Sequence, residues 1–234
     1  MPRANEPSSE EPIPAPPISP SQINVTRYVA STLGVLLAIG GFEHGVFETL
    51  QGDTPTPGLF IHSIGPHQQM WPYGTEDAFT LIPNFLLSGL VSIALSLLIA
   101  VWSIRFVHRK HGSTVFLLLF ILLFISGGGV AQVVFFMLAW AVSLRVHKPA
   151  VWPDRMLSQP ARVAFGNFWL PGLVLFTVLS LAALEIAITG YVPGIQNPNL
   201  KQHICWSLLL VGLSVLLVAI ASGRVHDRWA GKVT

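Results

Sequence analysis

Charge is scarce in this sequence. Its 234 residues include 13 Lys or Arg and 11 Asp or Glu, 10% of the chain, where soluble domains carry about 25%. That scarcity, set against 52% hydrophobic residues, excludes an ordinary soluble enzyme. Cysteine is scarcer still: Cys205 stands alone, so neither an intramolecular disulfide nor a cysteine-only metal cage can form. No lysine falls within the apolar stretches, which removes a retinal-type Schiff base, and a haem held by two buried histidines would have only His44 and His203 to draw on. The Gly-rich phosphate loop, the zinc-protease His-Glu pair and the nucleophile elbow are all missing, so no catalytic motif argues for an enzyme. A formal net charge of +2 is too small to suggest nucleic acid as a partner.

What is present is long apolar sequence. Residues 78–104, 111–144, 163–184 and 202–223 contain no Asp, Glu, Lys or Arg, and about 20 such residues suffice to cross a bilayer as a helix. Spans are expected at 28–49, 83–106, 163–189 and 204–223. Residues 1–26, interleaved with seven prolines, cannot bury enough apolar surface to fold and read as a disordered cytoplasmic tail. They lack the order of a cleavable signal peptide. A single transmembrane domain is expected over 27–226, with a loop at 50–82 and a second cytoplasmic tail at 227–234.

The remaining apolar region, 114–144, is too long for one upright helix: 31 residues make about 46 Å at ~1.5 Å each, against a hydrocarbon core of ~30 Å. Gly127, Gly128 and Gly129 lie near its middle, where they weaken a helix and free the backbone to turn. The distribution of cations arbitrates. A single crossing would divide Lys and Arg six against seven. A hairpin turned at the glycines leaves twelve on one side and only Lys201 on the other. The expected fold is therefore an all-α transmembrane bundle of four full spans plus a short, glycine-turned central hairpin, six apolar segments in all. Its arms, roughly 20 Å each, are short for full crossings. Both termini are then cytoplasmic, and the 50–82 loop is outside with the acids and histidines around it.

Two stripes of small residues carry a packing signature. Asn84, Ser88, Ser92 and Ser96 recur every four residues on the second helix, and Gly34, Ala38, Gly41 and Gly45 run down the first. Residues four apart share a helix face, and small or weakly polar side chains there let helices approach closely in lipid. Tight packing explains both stripes without a polar pathway.

Ionisable groups inside a membrane are functional candidates by default; here they are Glu43, His44, Glu48 and Glu185. His44 and Glu48 share one helix face, and Glu43 points about 100° away from His44. Three readings of this outer cluster are open. His44 and Glu48, with His62, His67 or Glu185, form a divalent-metal site; or the acids cycle protons during transport of a small solute; or they are hydrated near the interface and only stabilise the bundle.

The run from Gly41 to Gly52 with His44, Gly45 and Glu48, the Leu81-Ile82-Pro83-Asn84-Phe85 segment, the basic 107–112 loop and the arm entering the triple glycine together resemble a set of uncharacterised prokaryotic membrane proteins of similar length. Where those proteins continue the triple glycine with an aromatic, Gly and Pro, this chain has Val130-Ala131-Gln132. The resemblance implies a prokaryotic plasma membrane and no activity. On the sequence alone, the expectation is a structural or accessory membrane subunit in contact with lipid and a protein partner or a second copy. A small-solute or proton-coupled transporter and a divalent-metal-binding protein stand as alternatives, and no cofactor other than such a metal is implied.

Overall fold

A computed structural model describes residues 24–148 and 150–230; most of the two expected tails therefore lies outside the described residues. The chain opens with α1 (Val25–Leu50) and, after a long loop carrying β1 (Phe60–His62) and β2 (Asp77–Thr80), continues with α2 (Phe85–Arg105). Next come α3 (Gly112–Phe124), β3 (Ser126–Gly129) and α4 (Gln132–Ser143), then the short α5 (Trp152–Met156) and α6 (Gln159–Gly166). The chain closes with α7 (Trp169–Thr189) and α8 (Pro198–Ala230). Four helical stretches, Val25–Leu50, Phe85–Arg105, Gln159–Thr189 and Pro198–Arg228, are long and apolar enough to cross a membrane. The protein is an all-α membrane bundle.

Hydrogen bonds fix which element ends lie together. The start of α1 meets the end of α8, where Asp227 accepts from the backbone N–H groups of Val25 at 2.6 Å and Thr26 at 2.9 Å. Asn24 donates to the Val146 carbonyl just past α4 at 2.7 Å. Ser31 of α1 donates to Ser103 near the end of α2 at 2.7 Å, and His147 to the His108 carbonyl at 2.7 Å. Residues 24 and 227, together with both feet of the α3–α4 hairpin, thus occupy one end of the bundle. The long region does enter and return on the same side.

Its tip is an extended strand rather than a tight turn. Four residues of β3 add about 13 Å at ~3.3 Å each to the ~20 Å of α3, which brings the arm close to the hydrocarbon thickness of ~30 Å. The arm that looked too short on helical rise gains its reach by unwinding. The reversal is completed at Val130, whose carbonyl accepts from the Val133 N–H at 3.3 Å.

Unwound backbone within a bundle must find partners, and the long loop supplies them. β2 pairs antiparallel with β3 on one edge and with β1 on the other, in the order β1-β2-β3. The 50–82 loop therefore inserts a strand into the end of the bundle opposite Asn24 and Asp227. The Ser126 carbonyl accepts from Ser88 at 2.6 Å and Ser92 at 2.9 Å. Two members of the serine stripe thus hold the hairpin tip. Asn84 does something else: it caps α2, accepting from the Leu87 N–H at 3.0 Å, and donates to Asp53 at 2.7 Å. The α1 stripe packs against α2 and α3, with Gly45 on the Gly89 backbone, Gly41 on Ser96 and Leu123, and Gly34 on Ser103 and Phe116.

The last helix is much longer than the expected 204–223. At 33 residues it spans about 50 Å, because Lys201 at one end and Arg224, Asp227 and Arg228 at the other extend it into the polar zones, where long charged side chains are tolerated. Hydropathy marks only the apolar middle of such a helix. Its continuation through residues 227–230 also draws the start of the expected second tail into the bundle.

Candidate functional site

The site lies where the C-terminal end of α1 meets the inserted sheet. The period of α1 turns His44 and Glu48 inward, and both are buried. In β1 the alternation exposes Phe60 and His62 and buries Ile61, and it carries on to bury Ser63. Ser63 bridges the two α1 residues: its Oγ lies 2.6 Å from His44 Nδ1 and donates to Glu48 Oε1 at 3.1 Å. Glu48 Oε2 is 2.6 Å from Ser88 Oγ, which in turn is 3.1 Å from Thr80 Oγ1.

The other face of the imidazole meets a residue from the loop. His44 Nε2 is 2.8 Å from Glu76 Oε2. Glu76 precedes β2 and adopts φ 44°, a left-handed conformation uncommon for a side chain of this kind. Such strain persists only where the surroundings enforce it, and it concentrates at functional sites. Burial by itself would raise the Glu76 carboxyl; the hydrogen bond and charge of His44 outweigh it and hold the group below its ordinary value.

Glu43 completes the arrangement. One ligand atom each from Glu43, His44 and Glu76 lies within 4.8 Å of the others. Both Glu43 carboxylate oxygens are buried and, among the described residues, are reached by no N–H or hydroxyl donor; the Glu76 carboxyl is the one group close enough to share a proton with them. Long side chains on adjacent helical positions converge here because the loop carboxylate sits at the seam between them. Among the described residues no Lys or Arg pairs with these acids, and the site's ion pairs are both to histidine.

Two glycines of β3 make room. A Cβ at Gly127 would overlap the Glu48 carboxylate, and one at Gly129 would overlap the His44 ring. Gly127 also has φ 125° and sits at the register shift between Phe79 and Thr80, an unpaired bulge residue that only glycine adopts readily.

The expected ligand set is thus redrawn. His44 is central. Glu48 lies one turn further along α1, on the Ser63 and Ser88 side, away from Nε2. His62 faces outward and pairs with Asp77 at 2.9 Å. His67 is exposed in the loop, and Glu185 is exposed on α7; neither joins the three-residue cluster. Sequence reasoning left Glu76 and Ser63 out of the site, since only strand insertion brings them to α1. The available signal was the alternation of burial-prone residues around Ile61-His62-Ser63 and the acidic pair placed directly before Ala78-Phe79.

A cavity of about 270 Å³ opens beside the cluster, between α1 and α4 on one side and α7 and α8 on the other. His44, Glu76, Asp77 and Gln132 belong to its lining, and the rest is mostly Leu, Phe and Ala, with Ser180, Cys205 and Trp206 among them. No protein-family model, curated protein or solved structure gives a significant match to this chain.

Proposed function

We propose that this membrane protein binds a divalent cation through Glu43, His44 and Glu76. The carrying observation is the convergence of these three side chains, with both oxygens of the Glu43 carboxylate buried and, among the described residues, reached by no N–H or hydroxyl donor. A buried carboxylate without a hydrogen bond is costly, and a cation at this point would offset that cost. An imidazole nitrogen with two carboxylates is a donor set suited to zinc, manganese or ferrous iron.

The hydrogen-bond pattern behind the ligands supports the reading. Ser63 has one proton and donates it to Glu48, so His44 Nδ1 must carry the hydrogen that meets Ser63. Without a cation, Nε2–H donates to Glu76; loss of that proton would leave the Nδ1–H tautomer, with the Nε2 lone pair turned to a cation held between it and the two carboxylates. A metal-bound histidine is commonly oriented by such a bond from its other nitrogen. Ser88 Oγ stands 2.6 Å from both Glu48 Oε2 and the Ser126 carbonyl, and one hydroxyl proton cannot serve two acceptors at that distance. A proton on Glu48 satisfies both contacts. The groups facing the cation would then carry two negative charges, matching a divalent ion.

The partition of Lys and Arg supports an orientation with both chain ends in the cytoplasm and the site toward the outer face of a prokaryotic plasma membrane. The cation reading is tested by elemental analysis of full-length protein purified without chelator, followed by titration with Zn²⁺ and Mn²⁺. A stoichiometric ion is expected, lost in His44→Ala and Glu76→Gln and kept in His62→Ala. Protein that is metal-free as purified and takes up neither ion would overturn it.

A further inference from the structure

The geometry points to a second ligand: the cavity between the α1–α4 and α7–α8 pairs takes one single-chain amphiphile from the bilayer, with an uncharged hydroxyl head seated at Gln132, His44 and Glu76. Three observations carry this. The first is shape and lining. The α1 lining runs from Leu33 to His44, eleven residue steps or a depth of about 16 Å at ~1.5 Å per residue. A volume of about 270 Å³ over that depth makes a narrow slot suited to one hydrocarbon chain. Its deep walls, including Phe135, Phe176 and Leu209, are apolar, and apolar cavities of this kind are not filled by water.

The second is access. Leu181 and Trp206 belong to the lining and are exposed on the outer surface of α7 and α8. Both lie inside spanning helices, so the mouth between them opens sideways toward acyl chains rather than toward water. Few contacts join α4 to α7 and α8, and the gap left between them is the slot.

The third is the chemistry of the polar end. Gln132 lines the cavity beside His44, and its amide makes no hydrogen bond among the described residues. It offers a free donor and a free acceptor. Glu76 adds a carboxylate acceptor, and among the described residues no Lys or Arg lines the cavity. Without a bound cation, a phosphate or carboxylate head would meet like charge there. A hydroxyl can accept from the Gln132 amide and donate to Glu76, which leaves both partners satisfied.

This inference goes beyond the cation reading and is tested without it. Full-length protein in liposomes containing EDTA is photolysed with a diazirine-bearing dodecanol and, separately, with the matching dodecanoate, and the labelled peptides are mapped. Dodecanol is expected to label the cavity walls around Phe135, Phe176 and Leu209 and to be displaced by unlabelled dodecanol. Gln132→Leu should weaken that labelling about fivefold, the worth of roughly one hydrogen bond. Ser180→Phe, which fills the slot from α7, should abolish it. Two outcomes would overturn the proposal: labelling spread evenly over lipid-facing positions such as Leu97 and Leu98, or equal labelling by dodecanoate. Unchanged labelling in both variants, each eluting as a folded monodisperse species, would do the same.

Discussion

The carboxylate of Glu48 lies against Gly127 so closely that a methyl group on the glycine would overlap it. One residue is on the first helix and the other at the tip of the central hairpin, 79 positions later in the chain. The pair shows how the bundle is closed: an acid on α1 fills the space that a bulged, side-chain-free strand leaves open. Gly127→Ala is expected to destabilise the protein by about 2–4 kcal/mol, since it adds steric overlap to a strained φ. Gly58→Ala, where nothing lies within 4 Å, should fall within roughly 0.5 kcal/mol of wild type. Thermal unfolding in one detergent compares the two.

The serine stripe divides into unequal members. Ser88 is bonded to Glu48 and to the Ser126 carbonyl, and Ser88→Ala leaves a buried polar group on Glu48 unmet, at about 1–3 kcal/mol. The Ser96 hydroxyl is buried with no partner among the described residues, so Ser96→Ala should be neutral or stabilising. Equal losses at the two positions would show that both act only as small packing residues.

Ser63 is not itself a proposed ligand, yet its hydroxyl, 2.6 Å from Nδ1, orients His44. Ser63→Ala should weaken Zn²⁺ or Mn²⁺ binding by about 10–100-fold, the usual effect of removing a partner behind a metal-bound histidine. His62→Ala should leave the affinity unchanged. Calorimetric titration of the two variants separates an orienting role from general damage.

Asp227 ties the last helix to the first by accepting from two N–H groups of the opening turn of α1 and from the Thr26 hydroxyl. Asp227→Ala removes a cap and its favourable charge at a helix N-terminus, with an expected cost of about 1–2 kcal/mol. The loss would be read as a lower midpoint of thermal unfolding, and an unchanged midpoint would refute the capping role.

The hairpin fixes sidedness. Single cysteines in a Cys205→Ser background at Arg109 and Lys148 should react with an impermeant thiol reagent from the same side, and a cysteine at His67 from the other. Opposite labelling of the first two would require the 114–144 region to cross once.

Sequence by itself determined the class, the number of spans and the folding back of the central region. These follow from composition, length and the sorting of cations, quantities that act through the bilayer and need no knowledge of neighbours. It also marked His44 and Glu48, because an ionisable group in an apolar helix stands out wherever it lies. Glu76, Ser63 and the true role of the glycines were decided by tertiary structure alone. Unwound backbone at Ser126–Gly129 needed hydrogen-bond partners, the 50–82 loop supplied them by inserting β2, and that pairing carried Glu76 to His44. The same insertion turned His62 outward through the two-residue period of β1. No local pattern encodes which distant strand will satisfy a broken helix, and so the residues that complete the site became legible only once the chain had closed around it.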